Sequence, residues 1–456
     1  MLAIVSDIHL TDESTARNVD EGAFRYLSDA IVTAAQREIQ ELHLVLLGDI
    51  FDLVRTDYWH EEKIKLADRP WGGVLDLATG MNGNTLEVER QFNTIFERIL
   101  ATPGSQALLQ MLRRLPEQLG RPVRITYIMG NHDRVFNNFT SLQERMRREL
   151  GGIEITFTNA LHAPEYGVSA RHGHEWDDVC HGWRFARKTQ HDSTMGLFDP
   201  EAYKVMAIGE PITAELMSGL IHHVRQQIDC VSSAEDRDFF MNLQELNNLR
   251  PIFHVFHWLA WLARDRYRKY GEIMLRSVRM SLDSLLRSTL AAKWDRIQAD
   301  FLLWGDTVYQ LGLLRSLVKT HISVESLSWL VSTGVNIKNA FGIFLPKSDD
   351  DDLVRGARKE FDQRIKDKRI QYVVYGHTHE ARHDCFTAAV DGVVRMYINT
   401  GTYLPLIERS RDGQGYVSSN QMTMAFFYHD QEDTNQRVGD GPTLALWNGI
   451  RRKKHV

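Results

Sequence analysis

Leu42-His43-Leu44-Val45-Leu46-Leu47-Gly48-Asp49-Ile50-Phe51-Asp52 is the stretch whose reading decides the fold. Leu42 to Leu47 is an apolar run too short for an ordinary helix and reads as a buried strand. A glycine and two carboxylates end it abruptly. Polar residues in that position lie at the carboxyl edge of a sheet, the usual place for a site in layered α/β proteins.

Working outward, the same grammar recurs. Leu2-Ala3-Ile4-Val5 runs into Asp7-Ile8-His9, and Val123 to Met129 runs into Gly130-Asn131-His132-Asp133. Gly167-Val168-Ser169-Ala170 precedes His172-Gly173-His174, and Tyr372-Val373-Val374-Tyr375 precedes Gly376-His377-Thr378-His379. These strand ends are expected to converge on one cleft. Glu21 to Leu44 carries Phe24, Leu27, Ile31 and Ile39 at helical spacing, so the opening segment reads as a βαβ unit.

A chain of 456 residues is long enough for a large core and one to three domains. Its 43% hydrophobic and 25% charged residues are ordinary for a globular protein. A net charge of −6 offers no general attraction to nucleic acid. Cys180, Cys230 and Cys385 stand far apart with no Cys-x-x-Cys pair, so neither a thiolate zinc site nor a disulfide framework is suggested, and a reducing compartment fits. The first strand begins almost at Met1, leaving no room for a cleavable signal peptide, so a cytoplasmic location is expected.

The segment from Val54 to Gln91, with Tyr58, Trp59, Trp71-Gly72-Gly73 and Asn82-Gly83-Asn84, reads as a substrate-facing excursion. Between His174 and Tyr372 the patterning is strongly helical. This divides the chain into a core in two parts, residues 1–175 and 370–456, and a helical insertion over 176–369. The run Ile252 to Leu262, followed by Arg264, Arg266, Arg268 and Lys269, is too short to span a bilayer; it reads as a buried bundle helix, with a membrane-surface contact as the alternative. Asp349-Asp350-Asp351-Asp352 reads as a solvated linker or helix start, and the Arg451-Arg452-Lys453-Lys454 tail as mobile.

The polar clusters supply the donors of a dinuclear metal centre. Asp7, His9 and His379 suit one ion; Asn131, His172 and His377 suit a second; Asp49, with two carboxylate oxygens, suits the bridge between them. Imidazole and carboxylate donors without thiolate favour a borderline ion, Mn2+ first, with Fe, Zn or Ni as alternatives. Two ions roughly 3.5 to 4 Å apart would hold phosphate oxygens and activate a shared water, so the expected chemistry is in-line attack by a metal-bridging hydroxide on a phosphate ester. His132 is surplus to the ligand count and is the candidate for protonating the leaving group, with Asp133 orienting it. Asp52 is expected to hydrogen-bond a ligand histidine; His174 is an alternative ligand or a substrate contact. Singly, each cluster has a plain structural explanation, such as a turn or a helix cap. Their joint occurrence behind successive hydrophobic strands does not. His162, His181 and His191 have no such context and read as surface or core residues.

This arrangement resembles the calcineurin-like metallophosphoesterase superfamily, whose pattern is Asp-x-His, Gly-Asp-x-x-Asp, Gly-Asn-His-Asp or Glu, a later His, and Gly-His-x-His. The resemblance covers residues 1 to about 175 and about 370 to 430. It implies a four-layer α/β/β/α sandwich of two mixed sheets, with His132 as the catalytic histidine. The chain departs from a minimal member of the family in its helical insertion, whose placement suggests a lid or wall over the cleft, with a partner-binding or oligomerisation surface as the alternative. Bacterial UDP-diacylglucosamine pyrophosphohydrolases are similar at Gly-His-Thr-His but usually carry Arg where this chain has His132. The protein phosphatase branch normally has Gly-Asn-His-Glu rather than Asp133. The expected activity is hydrolysis of a phosphodiester or pyrophosphate bond in a nucleotide-like small molecule. The alternatives are a nuclease resembling the double-strand-break repair branch, with Trp59 and Trp71 stacking on bases, and a non-catalytic scaffold on the same fold.

Overall fold

Leu2, Ile4, Val45, Leu47 and Ile128 pack against Val168, Ala170, Val374 and Ile398, and this contact holds two sheets face to face. The structure is a computed structural model that describes residues 1–190, 194–230, 233–249, 255–264, 267–298, 308, 311–312, 315, 352–387, 394–412, 414–435 and 441–455. In the first sheet β1 (Leu2–Val5), β2 (Leu42–Leu47), β3 (Val123–Ile128) and β4 (Glu154–Thr158) are parallel neighbours. Antiparallel β11 (Tyr416–Tyr428) joins β1 and pairs with β10 (Pro405–Arg409) and β12 (Thr443–His455). The second sheet has the order β5 (Leu161–Ala163), β6 (Val168–Ala170), β7 (Tyr372–Tyr375), β9 (Val394–Thr400), β8 (Ala381–Thr387), parallel at β6-β7-β9 and antiparallel at both edges.

Successive residues of a strand point to opposite faces. Leu2 and Ile4 therefore meet the second sheet while Ala3 and Val5 join the apolar cluster under the outer helices. That cluster includes Phe24, Leu27 and Ile31 of α1 (Gly22–Ala34), and it draws equally on α2 (Thr85–Leu100), α3 (Pro103–Leu119) and α4 (Thr140–Glu149). On the far side, α12 (Asp352–Lys359) sets Leu353, Val354 and Ala357 against Val373, Tyr375 and Tyr397. The fold is thus an α/β sandwich with helices outside both sheets. Strand ends are level: Val5 lies beside Leu46, Leu47 beside Ile128, Ala170 beside Val374 and Tyr375 beside Asn399. The polar segments after these strands consequently leave both sheets along the same edge.

Between β6 and β7 the chain forms α5 (Trp183–Thr189), α6 (Gly209–Pro211), a π-helical stretch Ile212–Ser218, α7 (Gly219–Arg225), α8 (Ala234–Gln244), α9 (Val255–Arg264), α10 (Gly271–Leu286) and α11 (Thr289–Gln298). This helical segment shares one apolar cluster with the core, in which Leu216, Leu220 and Val278 belong with Trp59 and Trp71. Residues 252–254, most of 299–351 and Arg266 lie outside the described residues, as do Asp349 to Asp351 of the acidic run; Asp352 begins α12. The part of the apolar run that is described forms α9, with Val255, Phe256, Trp258, Leu259 and Leu262 buried, as a bundle helix requires. No helix among the described residues is long and apolar enough to cross a membrane.

Two expectations need correction. Trp59 and Trp71 do not face a substrate: they are 0% and 1% exposed and pack edge to face, with centroids 5.1 Å apart. The large apolar area of an indole is worth more in the core than at a solvated rim. The basic tail Arg451 to Lys454 is not a loose end; its backbone continues β12 in register with β11, Lys454 opposite Ser418.

A buried ion pair ties the excursion to the helical segment. Arg69 donates to Glu215 of the π stretch at 2.7 Å, Trp71 Nε1 donates to the same carboxylate at 2.6 Å, and Ser284 of α10 adds a bond at 2.6 Å. Removing one partner strands the other charge, so Glu215→Ala should cost about 3–5 kcal/mol in urea unfolding. A cost below ~1 kcal/mol would show the pair to be dispensable.

Histidines at this junction make it acid-sensitive. Burial holds His60 at about 3 and His223 at about 4, the latter helped by His222. Both lie below the ~6.5 of an unfolded histidine, so the unfolded chain binds protons first as the pH drops. The stability they contribute is complete above pH ~6.5 and declines as the pH falls to about 4 for His223 and about 3 for His60. A His60→Gln/His223→Gln protein should therefore lose less stability than wild type between pH 6.5 and 5; identical slopes would contradict this.

Candidate metal centre

Close approach at the shared sheet edge is made possible by glycine. Gly48 has φ +81°, and a Cβ there would stand 2.4 Å from His172 Nδ1. A Cβ on Gly376 would stand 2.3 Å from Asp7 Oδ2. The residues beyond are strained: Asp7, His9, Asp49, His377 and His379 have φ of 51°, 52°, 52°, 73° and 66°, values that non-glycine residues seldom adopt. Such outliers cost of order 1–3 kcal/mol each and persist where surrounding structure over-determines them. Here the restraint is visible. Thr402 and Tyr403 N both donate to the Asp7 carbonyl, at 2.7 and 3.1 Å, and Asn399 Nδ2 donates to the Gly376 carbonyl at 2.6 Å.

Two groups of donors result. In the first, His9 Nε2 and His379 Nε2 face each other at 2.9 Å, with Asp7 Oδ1 3.7 and 3.6 Å from them and Asp49 Oδ2 3.6 Å from His9. His9 Nδ1 donates to Asp52 Oδ2 at 3.1 Å, which leaves the Nε2 lone pair directed inward. The second group joins Asp49, His172 and His377, with Asn131 Oδ1 3.0 Å from His377 Nδ1. His172 Nδ1 donates to the Leu47 carbonyl at 2.9 Å. Its Nε2 then points at Asp49 Oδ2 over 3.2 Å, two electron-rich atoms that need a cation between them. Asp49 belongs to the second group and approaches His9 of the first.

The electrostatics express the same need. Burial alone would lower His172, but Asp49 and Asp7 push it up to about 10. Burial alone would raise the Asp49 carboxyl, but His172 and His132 hold it well below the usual carboxylate range. A single proton on His172 relieves one contact. The His9, His379 and Asp7 donors converge as well, and a metal ion in each group would satisfy them together. The buried aspartate and histidine clusters therefore fit divalent metal ions.

Asp52 is the organiser of the site. One oxygen takes His9, while the other lies 3.0 Å from His132 Nδ1 and accepts from Arg55 N at 2.9 Å; the Arg55 guanidinium sits 3.2 Å away. Burial would raise this carboxyl, yet His132 and Arg55 hold it well below the usual range. His132 lines a cavity above the donors and is 11% exposed. The expectation that Asp133 orients His132 is wrong. Its oxygens accept from Gly130 N at 2.6 Å, Ile50 N at 3.0 Å and Tyr127 OH at 2.6 Å, so it faces inward and locks two of the loops together. Burial and Asp49 push its carboxyl up to about 7.

His174 is buried behind the ligands, its ring 5.4 Å from His172 and 5.2 Å from His181. It belongs to none of the donor groups. Burial, His181 and His172 keep it neutral, with its pKa far below the ordinary value. His181 is a core residue, His162 is exposed, and His191 lies outside the described residues. Sequence reasoning missed Asp177, which accepts from His377 Nε2 at 3.2 Å and so fixes that ring's tautomer. Its position in the run that begins at His172 was the available signal. Arg55, three residues after Asp52, was missed in the same way.

No protein-family model matches this chain, and no curated protein matches it. The geometry therefore carries the argument. Asp49→Asn should remove most bound divalent metal, because one donor group loses its carboxylate and the other a charge 3.6 Å from His9. Asp52→Asn should weaken metal affinity about 10- to 100-fold by releasing the His9 ring. Equilibrium dialysis with metal analysis checks both, and unchanged affinity in the two variants would rule out a metal centre here.

Proposed function

We propose that the chain is a metallophosphoesterase of the calcineurin-like type, hydrolysing a phosphodiester or pyrophosphate bond in a nucleotide-like small molecule. The observation that supports this reading is a pair of adjoining buried aspartate–histidine donor groups, with Asp49 of one 3.6 Å from His9 of the other. Asp7, His9, Asp49 and His379 would hold one ion, and Asp49, Asn131, His172 and His377 the other. The nitrogen and oxygen donors favour Mn2+, with Fe, Zn or Ni as alternatives. When bound, such ions supply Lewis-acid polarisation of phosphoryl oxygens and of water.

The protein's own groups would do the rest. His132 faces the cavity beside the donors and is positioned to give a proton to the leaving oxygen. Asp52 Oδ1 lies 3.0 Å from Nδ1 of that imidazole, so a carboxylate stands beside the ring to balance its charge. Arg55 balances the charge of Asp52 without occupying a donor position. Helices above the site line the cavity, which supports the wall reading of the helical segment over a purely partner-binding one. Three free thiols fit a cytoplasmic setting.

The test is metal analysis of purified protein together with hydrolysis of a phosphomonoester, a phosphodiester, a pyrophosphate and single-stranded DNA. Turnover of the small diester or pyrophosphate is expected. Preference for DNA would favour the nuclease alternative, and inactivity of metal-loaded protein on all four would favour a scaffold. His132→Ala should lower kcat about 10²- to 10⁴-fold with metal content retained. Undiminished turnover would remove His132 from the mechanism.

A further inference from the structure

Asp177 fixes the His377 ring, but that hydrogen bond leaves a neighbouring donor without a task. Cys180 follows three residues later, and its thiol, the Asp177 carboxylate and a ring nitrogen of His377 all lie within 4.8 Å of one another. The approach is built into the chain. Cys180 N and His181 N both donate to the Asp177 carbonyl at 3.0 Å, and Val179 N donates to Asp177 Oδ1 at 2.9 Å. This tight turn brings carboxylate and thiol together at the two-residue gap used by paired ligands of zinc sites. Asp177 Oδ2 is left facing His377 Nε2.

The His377 ring stands between two sets of donors. Its Nδ1 lies 3.0 Å from Asn131 Oδ1, beside the second donor group, and its Nε2 lies 3.2 Å from Asp177 Oδ2. Asp177, Cys180 and His377 all line the cavity, so an ion can reach them from solution. Glu175 and Asp178 line it too, and this run of carboxylates favours a cation. Arg184 pairs with Asp178 at 2.9 Å, whereas Asp177 has no lysine or arginine partner among the described residues. The buried His174 has no hydrogen-bond partner on either ring nitrogen among the described residues, and its ring lies 6.4 Å from that of His377. This part of the wall therefore holds lone pairs that no protein donor answers.

We propose that Asp177, Cys180 and His377 form a third cation site, adjoining the second donor group and sharing His377 with it, which takes a thiophilic divalent ion such as Zn2+ or Co2+. The ion binds Cys180 Sγ, an Asp177 oxygen and His377 Nε2; the thiol proton and the Nε2 proton leave to solvent. A thiolate donor turns the site towards Zn2+ and Co2+ and away from Mn2+, which suits oxygen donors. Cysteine spacing in the sequence offers no such site, because the thiol's companions here are a carboxylate and an imidazole. The inference goes beyond the phosphoesterase reading and needs no turnover.

The test is a Co2+ titration of protein held in Mn2+, followed by near-ultraviolet absorption. A thiolate-to-Co2+ charge-transfer band should grow in and saturate, a signature that nitrogen and oxygen donors alone do not give. Cys180→Ser should abolish the band, Asp177→Asn should move its midpoint to higher Co2+, and the double variant Cys230→Ser/Cys385→Ser should keep it unchanged. Zn2+ should also slow the alkylation of Cys180 by iodoacetamide in the unsubstituted chain, read by peptide mass spectrometry. That measurement decides alone if Cys180→Ser fails to fold by circular dichroism. No band, a band that survives Cys180→Ser, or alkylation at the same rate with and without Zn2+ would overturn the inference. Equilibrium dialysis against Mn2+ keeps the two metal readings apart. The band in a protein that binds no Mn2+ would support the third site and overturn the dinuclear centre, and Mn2+ binding without the band would do the reverse.

Discussion

Asp49 brings its carboxylate to the point where the strand ends meet, within 3.2 Å of His172 and 3.6 Å of His9, almost wholly out of water. Asp7 and Asp52 are buried beside it. Carboxylates packed this closely repel one another unless positive charge is supplied, and isolated buried charge is among the most costly features a fold can contain. The neighbouring architecture answers that demand. Gly48 lets His172 close on Asp49, strained backbone at five donor residues aims their side chains inward, and the Asn399 to Tyr403 turn pins the loops that carry Asp7 and His377.

The same constraint organises what lies around the donors. Asp52 spends one oxygen on His9 and the other on His132, so a single side chain couples a metal donor to the group assigned to proton transfer. Asp177 does the corresponding work for His377. Carboxylate–histidine pairing of this kind sets tautomers, and with them which lone pairs remain available. Above, the helical segment closes the cavity with aliphatic side chains and is fastened to the core through Arg69, Trp71 and Glu215.

Much of this was legible residue by residue. Leu2 to Val5 and Leu42 to Leu47 are short and apolar because they are covered on both faces, which is what betrays a central strand. The polar residues that follow them mark a sheet edge for the same reason. Neighbourhood in sequence was a poorer guide to orientation. Asp133 adjoins His132 in the chain but turns away from it, whereas Asp52, eighty residues earlier, is its partner. Trp59 and Trp71 sit in a glycine-punctuated stretch that looks solvated, yet their indoles fill the core beneath the helical segment. The basic tail extends β12 because β11 offers it an open edge, information no local property of the tail contains.

Periodicity and abrupt polarity changes determined the layered α/β organisation, the strand ends that carry chemistry and the helical character of the middle of the chain. These are local properties, set by which faces of each element must be apolar. Only the tertiary structure decided which nitrogens of His9 and His172 face inward, that Asp52 rather than Asp133 stands beside His132, and that the π-helical stretch is fastened to the core through Glu215. Each of those depends on contacts between residues far apart in the chain, where the direction of a side chain is set by what the fold packs against it.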